Sequence, residues 1–296
     1  MSLHAVNIQG INITNSSKKE ILEVLRKFLI DGAWNGQKSS KNSRKTITIV
    51  TPNPEQLVLA KNNLAFSEVL NQADVAIPDG IGLVWASRIL SSFRISNFEF
   101  RISHTIPGVD FMEELVGIAA KQHVPIALIG GKSKVAVSAF ECLRQNHPDL
   151  LGVALDAPDF MITASGLSMN GSIDEYFKKL SETLGLEKIG VIFVALGAPK
   201  QEFFMERIRD SLTEKEQARI AIIDSRLAVS RIILMSVGGA FDEISGRIPR
   251  APGWVSRVGM KWLWRLMLEP WRIKRQFALL MFVVSVLKER LFIRVK

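Results

Sequence analysis

The stretch VIFVALGAPKQEFFMERIRDSL, residues 191–212, contains the pattern that decides the fold. Its first six residues are all apolar, which is typical of a strand buried on both faces. Gly197 and Pro199 then interrupt regular structure, and residues 201–212 have the composition of a helix. A buried strand followed by a tight turn and a helix is the start of a β-α-β unit, so this stretch predicts a parallel sheet covered by helices.

The same succession recurs along most of the chain. Further strands are predicted at residues 46–50, 75–77, 126–129 and 232–237, and further helices at residues 55–62, 81–90, 110–122 and 133–145. The predicted fold class is therefore α/β, with a mainly parallel sheet flanked by helices. Residues 35–44, 91–105 and 157–172 are interpreted as loops or insertions.

Small or turn-forming residues follow every predicted strand. They are Thr51-Pro52-Asn53, Pro78-Asp79-Gly80, Gly130-Gly131, Gly197-Ala198-Pro199 and Gly238-Gly239. In open α/β sheets, ligands bind outside the carboxyl ends of the strands. The sequence therefore predicts a binding site at that edge of the sheet.

The net positive charge of the chain lies in residues 247–296. They contain twelve Lys and Arg against Glu269 and Glu289, whereas the whole chain has a net charge of +9. Because the charge changes near Gly246, we predict an α/β core at residues 1–246 and a basic, Trp-rich helical appendage at residues 247–296. Cationic amphipathic helices bind anionic membrane surfaces. Bulky aliphatic residues between the basic ones disfavour nucleic acid as the partner.

The chain is expected to lie on a membrane rather than to cross it. Its longest apolar run, residues 277–287, has eleven residues, whereas a spanning helix needs about 20. No signal peptide is predicted at residues 1–10, and the single Cys142 fits a reducing compartment. We therefore expect a cytoplasmic protein, peripheral on the inner face of the cytoplasmic membrane. The sequence leaves open whether the chain forms a homo-oligomer.

Two polar turns are candidate catalytic or binding elements. Asp79 can cap the helix that follows it or accept a proton from an attacking hydroxyl, and its place at a helix start favours the ionised carboxylate. Gly80 lets the backbone approach a ligand closely. Thr51 and Asn53 either form a helix-capping turn or present a hydroxyl and an amide to a sugar.

The remaining candidates concern a nucleotide and its phosphates. Lys200 and Gln201 open a helix where a base or phosphate can bind. Four scattered histidines and one cysteine predict no metal site and no cofactor, and Asp-x-Asp is absent, so arginines have to neutralise a leaving diphosphate. Three arginines have the spacing of one helix face provided that Pro270 does not break the helix; otherwise they form a solvated or lipid-facing stripe. These are Arg265, Arg272 and Arg275.

A set of motifs, in order and spacing, resembles the WecG/TagA/CpsF family of glycosyltransferases. The motifs are Thr51-Pro52-Asn53, Pro78-Asp79-Gly80-Ile81-Gly82, Gly108-Val109-Asp110, Leu196-Gly197-Ala198-Pro199-Lys200-Gln201-Glu202, Gly238-Gly239-Ala240-Phe241-Asp242, Arg250-Ala251-Pro252-Gly253-Trp254, Trp262-Leu263-Trp264-Arg265 and Glu269-Pro270-Trp271-Arg272. The resemblance extends from about residue 4 to residue 276. It implies a Rossmann-like core and a mobile appendage that completes the site and holds the enzyme at the membrane.

The resemblance also implies an activity. Such enzymes transfer a sugar, commonly N-acetylmannosamine or its uronic acid, from a UDP-sugar donor to an undecaprenyl-diphosphate-linked acceptor, with inversion and without a metal. By motif match, Asp79 is the catalytic base, Thr51 and Asn53 lie near the donor sugar, Gln201 lies in the nucleotide pocket, and Arg265, Arg272 and Arg275 face the diphosphate.

Two departures from the family pattern affect this interpretation. Thr105 stands where the family usually has an arginine, so either Arg101 substitutes or diphosphate binding depends more on the appendage. Residues 209–234 also contain extra sequence. A catalytically idle sugar-nucleotide-binding scaffold of a polysaccharide assembly complex is therefore the alternative interpretation. A dehydrogenase is disfavoured because Gly-x-Gly-x-x-Gly does not follow the first strand.

Overall fold

The fold is that of a computed structural model, which describes residues 3–31, 46–91, 101–163, 166–184, 189–220, 231–257, 259–270 and 273–295. The elements follow one another as β1 (Ala5–Ile8), β2 (Ile11–Thr14), α1 (Lys18–Asp31), β3 (Thr46–Val50), α2 (Pro54–Lys61), α3 (Leu64–Gln72), β4 (Val75–Ala76), α4 (Ile81–Ser91), α5 (Gly108–Lys121), β5 (Ile126–Gly130), α6 (Val135–Asn146), β6 (Gly152–Leu155), β7 (Phe160–Thr163), β8 (Gly166–Met169), α7 (Ile173–Leu184), β9 (Val191–Ala195), α8 (Lys200–Ile220), β10 (Ile232–Ser236), α9 (Ala240–Ile244), α10 (Gly253–Arg257), α11 (Lys261–Leu268) and α12 (Ile273–Val295).

The central sheet has six strands in the order β4-β3-β10-β9-β5-β6, and each neighbouring pair is parallel. This arrangement confirms the predicted α/β class and is consistent with a Rossmann-like fold. The register places Ile49 opposite both Val75 and Met235, and Val194 opposite both Ile129 and Ser236. The carboxyl ends of the strands therefore meet at one edge, as the sequence predicts.

Helical layers bury the sheet on both faces. Alternate residues of each strand point into two separate apolar clusters: Ile126 and Leu128 contribute to one, and Ala127 and Ile129 to the other. The first cluster is covered by α1, α5, α6 and α9, and the second by α2, α3, α4, α7, α8 and α12. Burial on both faces explains why these strands are continuous apolar runs in the sequence.

Some local structure differs from the sequence-based expectation. Residues 157–172, predicted to be a loop, contain the antiparallel hairpin β7–β8, whose Phe160 is buried against Phe204 and Tyr176. The antiparallel β1–β2 hairpin was not predicted, and α8 extends to Ile220 instead of residue 212. The predicted loop at 35–44, most of that at 91–105 and part of the extra sequence at 209–234 lie outside the described residues.

The basic segment is helical, as predicted, and its last helix packs on the core. Phe282 and Val286 of α12 are fully buried and belong to the same cluster as the sheet residues, where α12 contacts α2 and α4. Ser285 accepts hydrogen bonds from Gln9 Nε2 (2.7 Å) and Lys61 Nζ (2.8 Å). The division at residue 246 stays a prediction. Among the described helices, none combines the length and apolarity that crossing a bilayer requires.

The opposite side of α12 is apolar and exposed. This exposed stripe consists of Ile273, Phe277, Leu280, Met281, Val284, Leu287 and Leu291. Their spacing follows the helical period, so the stripe runs along the length of the helix. One face of α12 therefore completes the core, and the other presents large apolar side chains outward.

The buried and exposed faces of α12 predict different effects of a Phe→Ala substitution on the free energy of unfolding. Phe282 is 0% exposed and Phe277 is 66% exposed. Phe282→Ala should lower the free energy of unfolding by about 3–5 kcal/mol, because it leaves a cavity in the core. The control, Phe277→Ala on the same helix, should change it by no more than about 0.5 kcal/mol. Urea unfolding measures both values, and equal losses would show that the orientation of α12 is wrong.

Candidate active site at the carboxyl edge of the sheet

The turns after β3, β4 and β10 are joined to one another at the carboxyl edge of the sheet. Asp79 N donates to Pro52 O at 3.0 Å, which ties the turn after β4 to the turn after β3. Thr51 Oγ1 donates to Ser236 O at 3.5 Å, which links β3 to the end of β10. The structure thus brings Thr51 and Asp79 together at the predicted edge, as neighbours of the glycine turn that follows β10.

The turn around Asp79 requires its glycines. Gly80 has φ +101°, a left-handed conformation that residues with a side chain rarely adopt. A Cβ at Gly82 would lie 2.6 Å from Pro54 Cγ, so only glycine lets the start of α4 approach α2 this closely. These constraints fix Asp79 between the turn after β3 and the start of α4.

Two polar side chains near Asp79 already have structural roles. Asn53 caps α2, since Gln56 N donates to Asn53 Oδ1 at 3.0 Å. Thr51 is buried, and its methyl group packs under Gly108 at the start of α5. By contrast, no hydrogen bond joins the Asp79 carboxyl to any other described residue, so Asp79 does not cap α4 through its side chain. Contact of Thr51, Asn53 or Gly80 with a substrate stays a prediction.

Neighbouring groups make Asp79 a weaker acid than an ordinary aspartate. Burial raises the pKa of its carboxyl from 3.8 to about 7, with nearby Glu243 and Asp110 adding to the rise and Lys261 opposing it. The rise in pKa runs against the expectation that the helix start favours the ionised carboxylate, because burial disfavours the charged form. A carboxyl with a pKa near 7 is suited to take up a proton at neutral pH.

The Gln201 side chain is buried in this structure and bonds to other groups of the protein. It is 1% exposed, its Oε1 accepts from Gly238 N at 3.1 Å, and its Nε2 donates to Glu202 Oε1 at 2.8 Å. Gln201 therefore fixes the glycine turn after β10 from below. Its predicted place in a nucleotide pocket stays a prediction.

Glu202 is a buried carboxyl that the sequence-based reasoning did not single out. It is fully buried, its Oε2 has no hydrogen-bond partner among the described residues, and burial raises its pKa to about 7. Glu202 supports Gln201, which in turn holds the glycine turn.

The appendage lies against this edge. Arg265 on α11 bonds to Glu243 on α9, and its Nε lies 3.0 Å from Glu269 Oε2. A Cβ at Gly239 would lie 2.9 Å from Arg265 Nη2, so the guanidinium group rests directly on the glycine turn. Further ion pairs join Lys261 to Asp110 and Arg250 to Glu113. The prediction that the basic segment reaches the site thus has a structural basis at Arg265.

The other predicted cations are placed differently. Arg272 lies outside the described residues, as does the side chain of Arg275, whose backbone is in α12. Pro270 separates α11 from α12, so Arg265 and Arg275 do not share one continuous helix. Arg101 Nε donates to Ser91 Oγ at the end of α4, roughly 15 Å along that helix from its start next to Asp79. Its substitution for the arginine that the family usually has at the position of Thr105 stays a prediction.

Three charged residues at the edge were missed by the sequence-based reasoning: Asp110, Glu243 and Lys261. Weak signals existed, because Asp110 and Glu243 stand in the first turns of α5 and α9, and Lys261 precedes Arg265 by one helical turn. Among the described residues, no group of three or more His, Cys, Asp or Glu is arranged to hold a metal ion.

Comparisons with known proteins find one family and a related enzyme. The model of the glycosyl transferase WecG/TagA/CpsF family matches residues 6–296. The N-acetylglucosaminyldiphosphoundecaprenol N-acetyl-beta-D-mannosaminyltransferase of Bacillus subtilis (strain 168) is 29% identical over 287 residues, which cover 95% of this chain and 91% of that protein.

Glu202 predicts a specific pH dependence of stability. Its pKa is about 7 in the folded protein, against an ordinary value of 4.5. Between these pH values the folded state holds a proton that the unfolded state has released, so the free energy of unfolding falls as the pH rises. This pH-dependent decrease in the free energy of unfolding amounts to about 3 kcal/mol. It should be absent in Glu202→Gln, because glutamine does not titrate.

The measurement is urea unfolding of the wild type and Glu202→Gln between pH 5 and pH 8. The difference between them should grow in favour of the variant as the pH rises, whereas the control Glu141→Gln, at an exposed glutamate, should give a constant difference. Parallel curves for wild type and Glu202→Gln would mean that Glu202 is not protonated in the folded protein.

Proposed function

The chain belongs to the WecG/TagA/CpsF family of glycosyltransferases, and on that premise we propose that it transfers a sugar from a UDP donor to a polyprenyl-diphosphate-linked acceptor. The proposed sugar is N-acetylmannosamine or its uronic acid, and the proposed acceptor lipid is undecaprenol. The name of the Bacillus subtilis relative supports an N-acetylmannosaminyl donor and a diphosphoundecaprenol acceptor. The observation that carries the proposal is the Asp79 carboxyl at the carboxyl edge of the sheet, with a pKa of about 7 and no hydrogen bond to a described residue.

The proposed reaction is a single displacement. The acceptor hydroxyl gives its proton to the Asp79 carboxylate, and its oxygen attacks the anomeric carbon of the donor. The bond between that carbon and the diphosphate oxygen breaks, and UDP leaves with the bonding electrons. Because attack and departure occur on opposite sides, the configuration of the anomeric carbon is inverted.

The leaving diphosphate needs positive charge. We propose that Arg265 supplies part of it, with Arg272 and Arg275 as further donors. Arg265 is largely buried between Glu243 and Glu269, and a bound diphosphate can replace Glu243 as its counter-ion. The proposed metal independence is supported by the missing Asp-x-Asp motif and by the absence of a ligand cluster among the described residues.

The remaining predicted residues have proposed roles around the donor. Thr51, Asn53 and Gly80 form the turns on either side of Asp79 and are proposed to face the donor sugar. Gln201 is proposed to shape the nucleotide pocket, which its hydrogen bond to Gly238 N supports.

Asp79→Asn tests the proposed base. The variant should keep its fold but lose about 10²–10⁴-fold in kcat, because an amide cannot take up the proton. The measurement is UDP release from a UDP-sugar with an undecaprenyl-diphosphate-linked acceptor, and Asp149→Asn, at an exposed aspartate, is the control with the same charge change. Near-normal turnover of Asp79→Asn would reject the base assignment. Absence of turnover in the wild type across UDP-sugars would instead support an idle scaffold.

We propose that the appendage holds the enzyme on an anionic membrane surface, on the cytoplasmic side. The exposed stripe of α12, together with exposed Trp254 and Met267, presents large apolar side chains on the same basic segment. Apolar burial and attraction to anionic lipid act together on such a helix. A second copy of the chain is a less favourable occupant, because two basic segments repel each other.

Point changes on the stripe test this proposal better than deletion, because deletion of α12 would also expose the core around Phe282. The double variant Phe277→Ser, Leu280→Ser should bind vesicles containing phosphatidylglycerol at least tenfold more weakly, since two large apolar groups no longer enter the lipid. Leu64→Ser, at a leucine 79% exposed on α3, is the control and should bind like the wild type. Unchanged binding of the double variant in vesicle sedimentation would contradict the membrane role of the stripe.

A further inference from the structure

Two glutamates hold the Arg265 guanidinium group, and they belong to different parts of the molecule. Glu269 follows Arg265 by one helical turn, and its Oε2 lies 3.0 Å from Arg265 Nε. Glu243 lies on α9 of the core, and its Oε1 pairs with Arg265 Nη1. The third nitrogen, Nη2, rests on the glycine turn at Gly239. Each nitrogen of the guanidinium group therefore has a different neighbour.

The geometry of a guanidinium group makes these neighbours unequal. It binds a phosphate best through two parallel N–H bonds from one edge. Glu269 contacts Nε, which leaves the edge formed by Nη1 and Nη2 beside the glycine turn after β10. Glu243 occupies the Nη1 half of that edge. A diphosphate can therefore engage the whole edge only if it takes the place of Glu243, whereas Glu269 can stay.

The two glutamates also differ in how they are attached to Arg265. Glu269 N donates to Arg265 O at 2.9 Å at the end of α11, so the Glu269 backbone is tied to Arg265 itself. The pair with Glu243 joins two separate helices, α9 and α11. The Glu243 side chain is 20% exposed and that of Glu269 11%. Water can thus solvate the Glu243 carboxylate more readily when it leaves its partner.

We propose that the two glutamates have opposite roles in donor binding. Glu269 is a positioning residue that orients the Arg265 guanidinium group toward the glycine turn, and Glu243 is an exchangeable counter-ion that the donor diphosphate displaces. The inference rests on the proposed function, in which Arg265 binds the leaving diphosphate. It adds the two residues that control this contact.

The exchange accounts for an arginine that is ready for the donor and still able to release the product. In the free enzyme, Glu243 neutralises Arg265, so the largely buried guanidinium group is not left without a counter-ion. A bound diphosphate takes over this role. After transfer, Glu243 competes with UDP for Arg265, which limits the affinity for UDP and favours its departure.

The test is calorimetric titration of full-length protein with UDP and with uridine, without acceptor, so that turnover has no influence. Glu269→Gln should weaken UDP binding by about threefold to tenfold, because Arg265 loses the charge-assisted bond that orients it. Glu243→Gln should strengthen UDP binding by about the same factor, because the diphosphate no longer displaces a carboxylate. Uridine lacks the diphosphate and should bind to both variants as it does to the wild type.

Variants of Arg265 and of a remote glutamate are the controls. Arg265→Met should weaken UDP binding. Adding Glu269→Gln or Glu243→Gln to Arg265→Met should change the affinity for UDP by less than about twofold, because both glutamates act through Arg265. Glu141→Gln, at an exposed glutamate on α6, removes the same charge elsewhere and should bind UDP like the wild type.

The signs of the two shifts decide the matter. Weaker UDP binding in Glu269→Gln with stronger binding in Glu243→Gln, and unchanged uridine binding, supports the inference. If both variants weaken UDP binding, the glutamates only maintain the structure, and if both strengthen it, both are counter-ions. Either result, no change, or a loss of uridine binding overturns the inference. If Arg265→Met binds UDP like the wild type, the proposed role of Arg265 in diphosphate binding fails instead.

Discussion

Desolvation of one carboxyl group is the constraint on which the site depends. The central sheet is buried on both faces by helices, so polar groups can gather only where its strands end. At that edge the turn from Pro78 to Gly80 inserts Asp79 between protein groups that remove much of its water without giving it a hydrogen-bond donor. Burial is therefore the main cause of its raised pKa, and the charges that modify this pKa further are on elements remote in sequence.

The structural roles of the other edge residues follow from this constraint. Gln201 and Glu202 hold the glycine turn after β10 from inside, and Asn53 caps α2. Gln201 and Asn53 accept from the backbone N–H groups of Gly238 and Gln56, which would otherwise be left unpaired beside the site, and Glu202 accepts from the Gln201 side chain. The Asp79 carboxyl, by contrast, has no hydrogen bond to a described residue. Such a carboxyl is arranged for proton transfer.

The sequence predicts five of the six strands of the central sheet, whereas β6 and the charges around Asp79 were not predicted. Strands at 46–50 and 191–195 were located closely because burial on both faces leaves continuous apolar runs. The β7–β8 hairpin was missed because its short strands lie outside that sheet and lack such a run. Asp79 was found from its turn and from family motifs. Its weakened acidity could not be predicted, because Asp110, Glu243 and Lys261 meet it only after the chain has folded.

The packing of α12 has a consequence for biosynthesis. Ser285 of α12 bonds to Gln9, which is far away in the sequence. Phe282 of α12 is buried in the apolar cluster that α2 and α4 also cover. Because α12 is translated after the elements that it covers, the apolar surface of α2 and α4 stays exposed until α12 has left the ribosome. A chain shortened before α12 would keep this surface exposed and would be prone to aggregation.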